Sequence, residues 1–272
     1  MKPLFEFFIV IAEHRSGSTL LKSCLSIQKD ILFYSTAGLE NKFSNFGKTF
    51  DYKMDRKKRV DWRKENNNGK LVIKLAHAVL SKEKGDKKLF GFKCHPERLL
   101  TIPNYFKFLQ TQNARIIFLT RNNVLLRYIS RLTVVQKTHN STCYYKNKKC
   151  IDVFKLNPIN IEYNEYIKFK LKAEEEQKKV LFMINKYNLP YIHITYEEIN
   201  ENFDQCFNKI FDFLELDKDT IINCKQEDGI IAGHKKINVY KLEDKIINYE
   251  EFKKAAEDSN DIETLNFLKE GA

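Results

Sequence analysis

Arg15, Ser16, Gly17, Ser18 and Thr19 form one run within "IVIAEHRSGSTLLKSCL", between an apolar stretch and a segment of helical spacing. A strand that turns on small residues into a helix leaves the first backbone N–H groups of the helix without intrahelical acceptors, and the helix start adds partial positive charge. Arg15 supplies a full charge beside them, and three hydroxyls supply further donors. This is chemistry for holding an anion.

The run is not a nucleoside-triphosphate loop of the form G-x-x-x-x-G-K-[ST]. It has one glycine, Gly17, no lysine after it, and its cation lies ahead of the glycine. A shorter cradle of this kind suits one 5′-phosphate carrying a leaving group.

Other residues with chemistry lie further along. In "RIIFLTRNNVLLRYIS", Arg121 leaves a β-branched strand and Ser130 follows nine residues later on a helical segment, flanked by Arg127 and Arg131. An arginine at a helix start is unfavourable against the helix dipole unless an anion is near. His95 in "FKCHPE" and Glu40 in "GLENKF" are proton acceptors of the kind a general base requires. His234, Lys235 and Lys236 open a basic tail.

Together these segments resemble the sulfotransferases that use 3′-phosphoadenylylsulfate (PAPS). "RSGSTLL" resembles their 5′-phosphosulfate loop, and "RIIFLTRNNVLLRYIS" resembles their 3′-phosphate motif. "FGFKCHPERLL" resembles a Lys-x-His segment of the family, "ITYEEI" a recurrent strand-to-helix junction, and "HKKINVYKLEDKIINYEE" the carboxy-terminal segment of bacterial and carbohydrate-type members.

The resemblance implies that Arg15, Ser16, Gly17, Ser18, Thr19 and Leu20 hold the 5′ end of PAPS. It implies that Arg121 and Ser130 grip the 3′-phosphate, with His234, Lys235 and Lys236 near the phosphates. Arg15 is then also catalytic, and Glu40 or His95 is the base that takes the proton of an acceptor hydroxyl or amine. Cations and amides neutralise the leaving phosphate, so no metal is expected. Two alternatives have other signatures. A P-loop nucleoside or small-metabolite kinase would carry the missing lysine, and a nucleic-acid-binding module would interleave aromatics with Lys and Arg.

The elements that must position these residues alternate. Phe5–Ile11, Ile31–Tyr34, Lys88–Lys93, Arg115–Leu119 and Tyr191–Thr195 read as strands. Ser18–Gln28, Leu71–Leu80, the segment after "CHPERLL", the one after Arg121, Glu162–Tyr187 and Phe203–Leu214 read as helices, and the tail ends helical. Unbroken apolar strands separated by helices predict an α/β fold, a mostly parallel sheet covered on both faces. The resemblance adds a P-loop-like sulfotransferase fold. One domain over residues 1–272 is expected, with polar insertions near 48–69 and 138–158; the Tyr and Lys of residues 40–69 and 138–165 suit a carbohydrate or other small polar acceptor.

The 272-residue chain has 43% hydrophobic and 13% aromatic residues, which excludes a disordered protein. Its net charge of +11 favours acidic partners, although much of the excess is Lys scattered among Asn and Ile. None of the six cysteines forms a C-x-x-C pair, so a cysteine-built zinc site is not expected. Cys143 and Cys150 flank "YYKNKK" and are expected as free thiols in a reducing cytosol, the alternative being a disulfide between them in an oxidising compartment. "LFEFFIVIA" carries Glu6 and runs straight into the glycine turn, so it reads as a buried strand rather than a signal segment. No apolar run approaches the ~18 residues of a membrane span, and a cytoplasmic protein is expected.

Overall fold

The computed structural model describes residues 6–35, 88–101, 104–138, 158–216, 223 and 241–270. These divide into two compact units. The first holds the described residues up to Thr120 and those from Glu176 to Asn223; the second holds those from Arg121 to Glu175 and those from Lys241 onward.

The first unit is built on five strands: β1 (Glu6–Ala12), β2 (Ile31–Ser35), β3 (Leu89–Cys94), β4 (Arg115–Thr120) and β5 (Tyr191–Thr195). All five are parallel, in the order β2-β3-β1-β4-β5. The apolar runs fit the inner places of β1 and β4 and the edge place of β5. Phe7–Ala12 and Ile116–Thr120 are buried without alternation, as strands covered on both faces must be. Tyr191–Ile194 is exposed in part and takes an edge. Every strand expected from the apolar pattern is present, shifted by a residue at some ends.

Gly91 of β3 pairs with Phe8 on one side and Phe33 on the other. A Cβ at Gly91 would stand 2.1 Å from the Phe8 ring, so its absence is what lets that ring lie against β3. Phe8 and Phe33 stack with centroids 5.6 Å apart. A second group, including Ile9, Ile11, Phe90, Phe92, Ile116 and Phe118, packs against Leu109, Val180 and Ile184 of the covering helices.

Helix α1 (Ser18–Ser26) follows β1, and α2 (Pro96–Thr101) and α3 (Tyr105–Thr111) follow β3. The helical segment expected around Pro103 is thus two helices, with 102–103 outside the described residues. Helix α4 (Val124–Thr138) follows β4, and α5 (Tyr163–Lys186) precedes β5. Helices α6 (Tyr196–Glu201) and α7 (Phe203–Phe213) complete the unit. α6 starts at a capping box: Glu198 N–H donates to Thr195 Oγ1 at 3.1 Å, and Thr195 N–H donates to Glu198 Oε2 at 2.6 Å. At the amino ends of the strands, Arg115 joins Glu6 at 2.6 Å and Glu215 at 2.7 Å.

The second unit contains α4, the first half of α5, and α8 (Leu242–Lys245), α9 (Tyr249–Asp258) and α10 (Ile262–Glu270). Its core joins Leu125, Ile129, Ile161, Tyr166, Leu242 and Phe252. Lys170 on α5 meets Asp261 at 3.0 Å and Glu263 at 2.7 Å, while Asp261 accepts from Thr264 Oγ1 at 2.6 Å and from Tyr163 OH at 3.2 Å. This network fixes the start of α10 against α5. Residues 48–69, Leu71–Leu80, Cys143, Cys150 and nearly all of 138–158 lie outside the described residues.

Candidate active site

In open parallel sheets, side chains beyond the carboxyl ends of the strands meet at the point where the strand order reverses. Here that point is β1, flanked by β3 and β4. The run Arg15–Thr19 begins three residues past the end of β1.

Its backbone is unusual in two places. Arg15 has φ 66° and Gly17 has φ 80°, both left-handed. Glycine adopts this region freely, whereas a side-chain-bearing residue such as Arg15 is held there by its surroundings. The Tyr196 ring supplies part of the enclosure, because a Cβ on Gly17 would stand 2.5 Å from Tyr196 Cδ2. Ser16, fully buried, donates from Oγ to the Glu13 carbonyl at 2.8 Å and closes the turn from inside. Glu13 is itself buried, and its Oε1 accepts from Gln177 Nε2 at 3.3 Å.

Gly17 is also the N-cap of α1, and no side chain caps this helix. Ser18 and Thr19, which often perform that duty, lie inside the helix instead. Gly17 carbonyl accepts from Leu20 N–H at 3.0 Å and Leu21 N–H at 3.2 Å, so the amides ahead of Leu20 have no intrahelical acceptor.

Lys93 of β3 points into the same place. Its Nζ donates to Ser18 Oγ at 3.1 Å. Burial, then the positive charges of Lys22 and Arg15, lower the Lys93 ammonium from 10.5 to about 8. Three cations therefore gather at the start of α1, close enough to repel one another. An anion placed there would relieve that repulsion.

His95 follows Lys93 by two residues. The imidazole Nδ1 lies 2.7 Å from the Ala12 carbonyl; a carbonyl only accepts, so Nδ1 carries the proton and Nε2 the lone pair. Burial, then His14 and Lys93, lower its pKa to about 3. The ring of His14 stacks on it with centroids 3.6 Å apart. His14 Nε2 in turn lies 3.1 Å from Glu97 Oε1.

In the second unit, Arg121 and Arg127 are buried and Ser130 is half-buried. Asn123 caps α4, its Oδ1 accepting from Leu126 N–H at 2.9 Å. Arg127, Ser130 and Arg131 are spaced i, i+3 and i+4, so they share one face of α4. The guanidinium carbons of Arg127 and Arg131 lie 4.8 Å and 5.4 Å from the Phe169 ring centre. Glu40 and His234–Lys236 lie outside the described residues.

The structure thus brings Arg15, Ser16, Gly17, Ser18, Thr19 and His95 together in the first unit, and sets Arg121 and Ser130 in the second. Sequence reasoning gave no role to His14, Glu97, Glu13 or Gln177, and quoted Lys93 and Tyr196 only within the Lys-x-His and "ITYEEI" segments. For Lys93 a signal existed, a cation two residues before His95 at a strand end. For Gln177 there was none, and the approach of Tyr196 to the turn depends on tertiary packing that "ITYEEI" does not reveal. Among the described residues, no group of three or more His, Cys, Asp or Glu is placed to hold a metal ion, and no helix is long and apolar enough to cross a membrane.

No protein-family model matches the chain, and no curated protein matches it. Solved structures similar to the chain include the sulfotransferase domain from the curacin biosynthetic pathway, at 15% identity and a TM-score of 0.48, covering 96% of this chain and 99% of that one. A sulfotransferase from Alicyclobacillus acidocaldarius is similar at 12% identity and a TM-score of 0.46, over 97% of this chain and 94% of its own. The mouse sulfotransferase SULT7A1, complexed with PAP, is similar at 14% identity and a TM-score of 0.41, over 98% of this chain and 89% of its own.

Proposed function

We propose that the chain is a sulfotransferase that moves the sulfuryl group of PAPS to a hydroxyl or amine of a small polar or carbohydrate acceptor. The observation that carries this reading is the turn after β1. Two left-handed residues bare the uncapped start of α1, and Arg15, Lys22 and Lys93 surround it. Sulfuryl transfer resembles phosphoryl transfer, an in-line displacement with charge on the equatorial oxygens and on the departing phosphate. Arg15 and the first-turn amides would stabilise the leaving 5′-phosphate. Lys93, hydrogen-bonded to Ser18, would neutralise charge at the oxygen between phosphorus and sulfur.

The remaining assignments rest on the motif resemblance: Arg121 and Ser130 on the 3′-phosphate, and the basic segment His234–Lys236 near the phosphates. Cations and amides meet the charge of the reaction without a metal ion. Calorimetry with PAP, the desulfated product, in the presence of a chelator tests the reading. Binding in chelator is the expected result. Binding of ATP with Mg²⁺ and not of PAP would make the protein a nucleotide kinase instead.

A further inference from the structure

We propose that His14, backed by Glu97, takes the acceptor's proton during transfer; this rests on the sulfotransferase reading above. Two imidazoles lie face to face beside the loop, His14 and His95, with centroids 3.6 Å apart and planes 19° from parallel. Rings this close cannot both carry a proton without strong repulsion, so at most one of them is charged at a time. What stands behind each ring decides which.

Behind His95 is the neutral carbonyl of Ala12, 2.7 Å from Nδ1. Behind His14 is a carboxylate, Glu97 Oε1, 3.1 Å from Nε2. An ionised carboxylate only accepts, so His14 Nε2 carries the hydrogen and Nδ1 the lone pair. A carboxylate in that position fixes the tautomer and stabilises the imidazolium that forms, which a carbonyl does far less well. His14 and Glu97 are each about half exposed, with side-chain exposures of 50% and 47%, whereas His95 is half-buried and lies near Lys93. Among the described residues, the charged groups that act on the pair are Glu97 from α2 and Lys93 from β3. Of these, only Glu97 favours a proton, and it touches His14.

The step balances. As the acceptor oxygen attacks sulfur, its proton passes to His14 Nδ1. The new S–O bond forms while the bond from sulfur to the 5′-phosphate oxygen breaks, and PAP leaves with that electron pair. Imidazolium His14 then returns its proton to solvent. His14 is the catalytic residue here and Glu97 the positioning residue; His95 remains neutral as the surface on which the His14 ring is stacked.

Water can stand at the acceptor position, so release of labelled sulfate from PAPS by excess enzyme measures the step without a chosen acceptor. PAP affinity by calorimetry, measured alongside, reports on the sulfotransferase reading alone. His14→Asn should slow sulfate release by about a hundredfold or more while leaving PAP affinity within about twofold. Imidazole in the buffer should restore part of the rate to His14→Ala. Glu97→Gln should slow release roughly tenfold or more, and Glu97→Asp should recover part of it. Sulfate release at the wild-type rate in His14→Asn, loss confined to His95→Asn, or no imidazole rescue would overturn the proposal. So would a wild-type enzyme that binds PAP and releases no sulfate. Failure of the wild type to bind PAP would overturn the underlying reading itself.

Discussion

Lys93 and Ser18 are 75 residues apart in the chain and 3.1 Å apart in space, the ammonium donating to the hydroxyl. Parallel pairing of β1 with β3 makes this possible. Val10 pairs with Lys93 and Ile11 with Cys94, so the end of β3 draws level with the turn that starts α1. The sheet register, rather than the loop, brings Lys93 to the start of α1.

A lysine whose ammonium is lowered from 10.5 to about 8 ties both stability and binding to pH, with opposite signs. Between about 8 and 10.5 the unfolded chain holds a proton that the folded chain has released, so this group makes stability rise with pH across that window. Below about 8 both states are charged, and the whole cost of burying the ammonium is present. Lys93→Gln should therefore be more stable than wild type at pH 7, by on the order of 1–3 kcal/mol, in urea denaturation. A bound anion favours the ammonium, so PAP affinity should fall as pH rises through about 8 in the wild type. In Lys93→Gln affinity should be weaker and flat over the same range. Calorimetry from pH 7 to about 9.5 reads both.

The turn itself makes a second prediction. Alanine at Gly17 meets two separate obstacles, the left-handed φ of 80° and the Tyr196 ring 2.5 Å from its Cβ. Gly17→Ala should lose about 1–3 kcal/mol of stability. Adding Tyr196→Ala removes the clash and leaves the backbone strain, so the double variant should lose less than the two single losses added together. Simple additivity in chemical denaturation would mean that Tyr196 does not enclose the turn.

Gly91 offers a test confined to the scaffold. Its α-hydrogen faces the Phe8 ring, where a methyl group would come within 2.1 Å. Gly91→Ala should cost about 1–3 kcal/mol, and Phe8→Leu in the same chain should recover part of it. A Gly91→Ala protein with an unchanged midpoint would show that β1 and β3 yield to each other at this pair.

The sheet was legible because its strands are long apolar runs: "FIVIA" and "IIFL" have no polar face to offer, so only a doubly covered parallel sheet accommodates them. Strand order was not legible, since no pattern in "LFGFKC" says that it lies between β1 and β2. The turn from β1 into α1 was legible for a local reason, as small residues, an arginine and a helix start are adjacent in sequence. His14 was not, because its meaning depends on Glu97, 83 residues away, and on the ring of His95. Ser18 and Thr19 do not cap α1, and a single dihedral is the reason. Once Gly17 takes φ 80°, the N-cap position falls on a residue without a side chain.

Arg15 and Arg121 allow the sharpest comparison on the nucleotide. The proposed function puts Arg15 on the 5′ end, which PAP shares with AMP, and Arg121 on the 3′-phosphate, which AMP lacks. A hydrogen bond to a charged group contributes roughly 1.5–3 kcal/mol, or about ten- to a hundredfold in affinity. Arg121→Ala should therefore weaken PAP by about that factor and leave the already weaker binding of AMP nearly unchanged. Arg15→Ala should weaken both nucleotides alike. The ratio of ratios, from four calorimetric titrations with each variant's urea midpoint as a control, isolates the contribution of the 3′-phosphate. Because Arg121 is buried beside the cap of α4, Arg121→Lys is the necessary companion. It retains the charge but not the planar fork, and should fall between wild type and alanine for PAP alone. Equal losses for PAP and AMP in Arg121→Ala would remove Arg121 from the 3′-phosphate and leave His234–Lys236 as its holder.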